Sequence, residues 1–226
     1  IVHVQRMSVD GNSRELLVIR PRNDARDERF LVGQTEILQQ LAHRTSLESI
    51  LTSVVLLIEE LFEDVRASIL LVSDDGERLI IGAAPNLPVQ YNEAIDGIEI
   101  GESVGSCGTA AFRRERVIVG DIQADPLWQP YRELASCFDL GACWSQPVLS
   151  STDDVLGTFA MYYAEPRKPS TDELDFIDHA ARLAGVAIER WRAETVLQRQ
   201  QRELEAILDA VQAQVVYMDA EARSIR

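Results

Sequence analysis

The chain has 226 residues, 46% apolar and 26% charged, enough to bury a core in a domain of ordinary size with extensions. Acidic side chains outnumber basic ones 37 to 22, a formal net charge of −15, which argues against a diffuse phosphate-binding surface and so against nucleic acid or an anionic membrane as partner. Three cysteines with no C-x-x-C pair give neither a disulfide framework nor zinc spacing and fit a reducing cytoplasm; no apolar run has the length of a membrane span.

Taken in order, IVHVQRMSV and SRELLVIR alternate in strand fashion about Asp10-Gly11-Asn12, a hairpin signal. Two strands alone are marginal. Residues 1–22 therefore read as the last hairpin of a preceding domain, and the start at Ile1 without a methionine suggests a piece of a longer protein. The polar stretch PRNDARDER makes 23–35 a linker. Leu31 to Ala42 is patterned as a helix, and Thr45 with Glu48 forms a capping box for a second one. Its Leu47, Ile50, Leu51, Val54, Leu57, Ile58 and Leu61 share one face.

The period then changes to two. ASILLVSDDGERLIIGAA reads as strand, Asp75-Gly76 turn, strand. A weakly patterned helix in LPVQYNEAI and a short strand IEI lead to SVGSCGTAAF, a glycine-loosened loop entering a short helix. Next come the strand RVIVGDI, a helix in DPLWQPYRELASCFD, and the strand pair CWSQPVLS and VLGTFAMYY. Ser170 and Glu173 form a second capping box, opening a helix with Leu174, Ile177, Ala181, Ala184, Ile188 and Trp191 on one face. The class is α+β, with helices at both ends of five or six antiparallel strands.

The ordered segments GESVGSCGTAAF, VIVGDIQADPLW, ACWSQPVLS, VLGTFAMYY and TDELDFIDHAARLAGVAIER resemble a GAF domain of the kind found in bacterial multidomain signalling proteins. The resemblance covers 36–192. It implies a GAF-like six-stranded antiparallel sheet with helices packed on one face, a small-molecule pocket roofed by loops and short helices on the other, and long linker helices at both ends. It also implies a sensory or dimerising role without catalysis. The flanks are similar to PAS domains: 1–22 to the end of one, 214–226 to the start of another, with 193–213 as a signalling coiled-coil helix between. Family association places cyclic-di-GMP turnover through GGDEF or EAL domains first as the output, and a histidine kinase second.

The candidate pocket residues are Ser103, Gly105, Cys107, Thr109, Trp128, Tyr131, Cys143, Trp144, Phe159 and Met161. Glycines beside Cys107 free a helix amino terminus, with Ser103 or Ser106 as N-cap, and such an end favours an anion or a thiolate. The plainer reading of Cys107 is a small buried apolar residue. Trp128, Tyr131, Trp144, Phe159 and Met161 read as aromatic and apolar walls or as core. Asp121, Asp125 and Arg132 add polar groups nearby.

Other members of the family narrow the ligand. Free methionine-R-sulfoxide reductases carry a similar GVCGTA segment and further cysteines, and Cys107, Cys137 and Cys143 match that count. Their substrate-holding acids are replaced here by Ser145-Gln146 and Thr158 to Met161, so a thiol-dependent reductase is the alternative rather than the first reading. Bilin attachment calls for a cysteine beside a histidine, which neither Cys137 nor Cys143 has. Haem calls for an axial histidine, and His3, His43 and His179 read as surface residues. Bound pigment is therefore not expected, and no NKFDE signature of cyclic-nucleotide binding is found.

From Leu183 the last helix continues with an apolar repeat: Leu183, Leu197, Leu204 and Val211 at one heptad position, Val186, Ala193 and Ile207 at another. It is expected to pair with a second copy, making the chain a homodimer that passes the state of the pocket to its neighbour.

Overall fold

The computed structural model describes the backbone of residues 3–9, 12–18, 24–43 and 45–224, and the side chains of 25–43 and 45–208. Strands β1 (His3–Val9) and β2 (Asn12–Val18) pair antiparallel from His3 opposite Val18 to Val9 opposite Asn12; Asp10 and Gly11 of the expected turn lie outside the described residues.

Helix α1 spans Asp24–Ala42, so most of the stretch expected as a linker is helical. The reason is visible in its spacing: Phe30, Ile37 and Leu41 fall on one stripe and are buried, which outweighs the polar composition around them. Helix α2 (Leu47–Leu61) begins one residue later than the Thr45/Glu48 box predicted. Its N-cap is Ser46, whose hydroxyl accepts from the Ser49 amide at 3.3 Å and pairs with the Ser49 hydroxyl at 2.8 Å.

Six strands follow: β3 (Val65–Val72), β4 (Arg78–Ala83), β5 (Ile98–Glu99), β6 (Val117–Val119), β7 (Ala142–Leu149) and β8 (Val155–Tyr163). They form one antiparallel sheet ordered β5-β4-β3-β8-β7-β6. The three longest strands, β3, β8 and β7, are central, and both faces of each are covered. On one face Ala67, Ile69, Trp144, Phe159, Met161 and Tyr163 join α2 and the start of α6 (Thr171–Ser224) in a single apolar core that also takes in α1. On the other face Leu70, Leu79, Cys143, Ala160 and Tyr162 meet the short helices α3 (Val89–Ile95) and α4 (Gly105–Arg113), a 3₁₀ turn over Pro126–Tyr131, and α5 (Arg132–Cys137).

The Ser170/Glu173 box is formed in full. Ser170 donates its amide (2.7 Å) and hydroxyl (2.8 Å) to Glu173 Oε2, and the Ser170 hydroxyl accepts from the Glu173 amide at 3.3 Å. The carboxylate, buried at 4% exposure, also accepts from the Tyr163 hydroxyl at 2.8 Å and from Arg167 at 2.8 and 3.0 Å. Arg167 in turn lies over the rings of Tyr163 (4.3 Å) and Trp144 (5.4 Å). Burial, together with the bond to Glu173, pushes the Tyr163 hydroxyl well above the ordinary phenol range.

Downstream, α6 continues as one helix to Ser224, through most of the 214–226 stretch that is similar to the start of a PAS domain. Leu183, assigned at the sequence level to the dimer seam, is 5% exposed and belongs to the sheet-facing core. Beyond it Leu197, Leu204 and Ile207 are 55%, 58% and 61% exposed, while the side chain of Val211 lies outside the described residues.

Glu173→Ala strands a buried phenol and removes the ion pair and the carboxylate half of the capping box together, so its unfolding free energy in urea is expected to fall by about 2–4 kcal/mol. Tyr163→Phe, which removes one hydrogen bond and leaves Glu173 paired with Arg167, is expected to cost about 1 kcal/mol. Equal losses in the two variants are incompatible with this network.

Candidate functional site

The segment Ser103 to Phe112 enters α4 through a backbone that only glycine takes easily. Gly105 has φ +53°, and a Cβ on Gly108 would sit 2.6 Å from the Glu99 carbonyl oxygen and 2.7 Å from Val104 Cβ. Neither serine caps the helix. Ser103 is exposed, the N-cap residue is Val104, and the Val104 amide is satisfied from inside the helix by the Thr109 hydroxyl at 3.1 Å.

This close entry presses Ser106 and Cys107 onto the sheet. The Ser106 hydroxyl donates to the Cys143 carbonyl oxygen (3.1 Å) and accepts from Trp128 Nε1 (2.9 Å), tying α4 to β7 below and to the 3₁₀ turn above. Trp128 and Tyr131 close over this turn, edge to face with centroids 6.4 Å apart, and even a Cβ at 105 would meet the Trp128 ring no closer than 3.8 Å. Beneath this lid is a cavity of about 20 Å³, room for one water, lined by residues that include Leu70, Tyr91, Ile95, Ile98, Val104, Cys107, Leu134 and Tyr162.

Cys107, Tyr91 and Tyr162 of the cavity wall lead into a buried cluster of thiols and hydroxyls beneath it. Cys143 and Tyr162 are register partners on β7 and β8. Cys107 Sγ lies 3.7 Å from the Tyr162 hydroxyl, which is 3.4 Å from the Ser68 hydroxyl. Tyr91 meets Tyr162 edge to face at 5.9 Å. The neighbouring Cys143 thiol and the hydroxyls of Ser145, Tyr162 and Thr158 lower the pKa of Cys107 against the opposing effect of burial. Burial raises Cys143, Tyr91 and Tyr162 well above their ordinary values, reinforced in each case by the neighbouring Cys107. Ser145 Oγ and Thr158 Oγ1 are fully buried and have no hydrogen-bond partner.

Of the sequence-level candidates, the structure brings Gly105, Cys107, Trp128 and Tyr131 together around the cavity, while Cys143 lies on the same face of the sheet in the apolar cluster beneath and is not part of the lining. Thr109 is one turn away, inside α4. Trp144, Phe159 and Met161 do not wall the pocket: they lie on the opposite face of the sheet, in the core under α2 and α6. The cause is the period-two alternation of β7 and β8, which sends Cys143, Ser145, Thr158, Ala160 and Tyr162 to the pocket face instead. Tyr91, Ser106 and Tyr162 were missed. Counting parity outward from Cys143 across the strand pair would have found Tyr162. Asp121 and Asp125 accept from loop amides, at Gln123 and Leu127, and Arg132 donates to the Asp125 carbonyl, so all three build the lid's own turns. Neither His43 nor His179 lines the cavity; His179 packs against Phe30 and bonds the Asp175 carbonyl. Among the described residues no three His, Cys, Asp or Glu side chains gather as metal ligands, and no helix is long and apolar enough to cross a membrane.

With this geometry, known proteins can be compared. The family profile described as GAF domain matches residues 44–189. A curated relative, the methyl sulfide methyltransferase-associated sensor of Methanosarcina acetivorans, is 38% identical over 200 residues; the match takes in 88% of this chain but only 20% of that protein. Among solved structures, the domain of a two-component sensor histidine kinase protein from Sinorhizobium meliloti 1021 is 25% identical with a TM-score of 0.56, over 68% of this chain and 97% of the other. The free methionine-R-sulfoxide reductase of Neisseria meningitidis, in complex with its substrate, is 17% identical with a TM-score of 0.55, over 73% and 91%, a likeness of fold.

The cluster makes the folded chain sensitive to alkali. Cys143 (ordinary value 9.0) and Tyr91 and Tyr162 (10.0) hold protons in the folded state that the unfolded chain releases, so the stability they contribute is full below pH 9 and is lost as pH rises past it. Cys107, whose pKa is lowered, contributes in the opposite sense as pH rises to its ordinary 9.0, so the fall is read above that value: urea midpoints measured at pH 9, 10 and 11 are expected to fall progressively, and less steeply in Tyr162→Phe. A flat profile contradicts the assignment.

Proposed function

Starting from a chain that belongs to the GAF domain family, we propose that it is a sensory module: a small, largely uncharged molecule enters beneath the Trp128 lid, and its presence is relayed through α6 to a partner domain. One observation carries this reading. Tyr162 lies on the cavity floor, and its neighbour Tyr163, on the opposite face, is bonded to the carboxylate that caps α6. Adjacent residues of one strand thus touch the pocket and the output helix, so a ligand that moves Tyr162 acts on the anchor of α6 without an intermediary.

The lining favours the class of ligand. It is aromatic and aliphatic with a few hydroxyls and one thiol, that of Cys107, and none of its residues carries a carboxylate. An amino-acid substrate such as methionine sulfoxide has no partner there for its ammonium group, which weighs against the reductase reading. Entry has to break the Trp128–Ser106 hydrogen bond and lift the 3₁₀ turn, because the closed cavity is no larger than a water.

The output belongs to the proposal as well. Family association favours cyclic-di-GMP turnover, whereas the relatives named as a sensor and as part of a sensor histidine kinase weigh toward phosphotransfer. In either case the exposed stripe Leu197, Leu204 and Ile207 on α6, with Leu31, Val32 and Leu38 on α1, suits pairing with a second copy, so that ligand state changes how two helices pack.

Phenol, with an aromatic ring and one hydroxyl, serves as a neutral probe, and acetate as the anionic control. Phenol is expected to raise the thermal midpoint and to slow hydrogen exchange in the first turns of α6; Tyr163→Phe is expected to keep the first effect and lose the second. A phenol effect confined to the pocket in both chains contradicts the relay, and an equal response to acetate contradicts the ligand class. For assembly, light scattering is expected to give a dimer for the unmodified chain and a monomer for Leu197→Glu with Leu204→Glu. A monomer in both overturns the pairing.

A further inference from the structure

Away from the Trp128 cavity, the first turns of α1, the end of α2 and the loop before α6 border an open cleft of about 670 Å³. Its charges are sorted by element: Arg26 and Arg29 come from α1 and Arg167 from the loop, whereas Glu59, Glu60 and Glu63 come from the end of α2. Two of the guanidiniums lie over rings, Arg26 with Cζ 4.6 Å from the Phe62 centroid and Arg167 at 4.3 Å from that of Tyr163. Arg167 uses only Nη2, on Glu173, and among the described residues neither Arg26 nor Arg29 has a hydrogen bond or an ion pair. A guanidinium placed over a ring still presents N–H groups at its edge, in the fork that a carboxylate accepts. On the acidic side Glu59 is engaged by the Ala67 amide at 2.7 Å and by Asn86 at 2.5 Å. Glu60 and Glu63 have no partner among the described residues, and the last turn of α2 holds no basic residue. The helix dipole is negative at that end, so its field adds to the carboxylates and favours a cation.

We propose that this cleft is a second binding site, for a small zwitterion with a carboxylate at one end and an ammonium group at the other. The carboxylate is taken by the open N–H groups of Arg26 and Arg29, with Arg167 beside them, and the ammonium by Glu60 and Glu63 at the negative end of α2. Both ends are needed. An anion alone brings its charge up to unpaired carboxylates, and a cation alone meets unpaired guanidiniums, so each is penalised by the group that the zwitterion satisfies. The volume is that of an ordinary small-molecule site and admits such a ligand without moving the lining, unlike the water-sized cavity under Trp128. Ser170 and Glu173 also line the cleft, so its occupant lies against the cap of α6 on the face of the sheet away from Tyr162. The site stands independently of the ligand and relay proposed above.

The test titrates the isotope-labelled chain with ε-aminocaproate, whose flexible stem separates the two charges, and follows the amide NMR spectrum at low salt. Hexanoate and hexylamine are the single-charge controls. The zwitterion is expected to bind saturably, with a Kd of about 1 mM or below, shifting the amides of Arg29, Glu63 and Ser170 and leaving those of Ser106 and Trp128 in place. Each control is expected to bind roughly tenfold more weakly. Arg26→Gln combined with Arg29→Gln, folding being checked by circular dichroism, is expected to weaken the zwitterion roughly tenfold. Glu60→Gln combined with Glu63→Gln is expected to weaken it to a similar degree and to let hexanoate bind as tightly as the zwitterion does. Shifts that do not saturate, or that fall only on the residues of the Trp128 cavity, overturn the proposal. So does a control that matches the zwitterion in the unmodified chain, or a pair of double variants that bind it as before.

Discussion

The Glu173 carboxylate is the point at which the sheet, the connecting loop and the long C-terminal helix meet. It is buried and accepts five hydrogen bonds: one from Tyr163 at the end of β8, two from Arg167 in the connecting loop and two from Ser170 at the helix cap. A buried carboxylate is tolerable only when it is so surrounded, and the same bonds that satisfy it fix where α6 leaves the sheet. Arg167, although partly exposed, is held flat by the Tyr163 and Trp144 rings, so the ion pair has a defined geometry where exposed pairs seldom do.

What Glu173 holds on one face, β8 presents on the other. Because successive side chains of a strand point to opposite faces, Tyr162 can belong to the cavity floor only if Tyr163 belongs to the helix-side core, and a one-residue slip would exchange them. The pairing of Cys143 with Tyr162 and of Trp144 with Met161 locks this parity across two strands. The polar floor and the aromatic core are thus two consequences of one register. Glycine at 108 has a comparable part on the roof, since only its missing Cβ lets α4 come close enough for Ser106 and Cys107 to reach the sheet.

Much of this is readable in the sequence, and the parts that are not have definite causes. Hairpin turns, the Ser170/Glu173 box and the stripe of α2 are local signals, set by residues a few positions apart, and they place the elements in order. Strand facing is different. ACWSQPVL is buried on both sides almost throughout, so it shows no apolar and polar alternation from which to tell pocket from core; Trp144 is as large and as buried as a pocket wall would be, yet faces the other way. The helix starts erred for another reason. Thr45 and Ser46 both suit an N-cap, and the charged residues of 24–29 read as linker until Phe30 is seen packed on Phe176 at 5.2 Å, a contact between residues far apart in the chain.

Helix α6 changes its task along its length without changing its conformation. Leu183 is spent on the sheet, whereas Leu197 and Leu204, at the same heptad position, find no cover among the described residues. The repeat therefore belongs to two different surfaces in succession, one inside the domain and one offered outward. A single 54-residue helix of this kind extends about 80 Å, so a small rotation at its cap becomes a displacement of several ångströms at its far end. Packed helices respond to such a rotation by moving between discrete arrangements rather than by bending, because their side chains interdigitate. The relay proposed above would need a buried anchor at the short end of this helix, one residue from the cavity, and the five bonds of Glu173 make one.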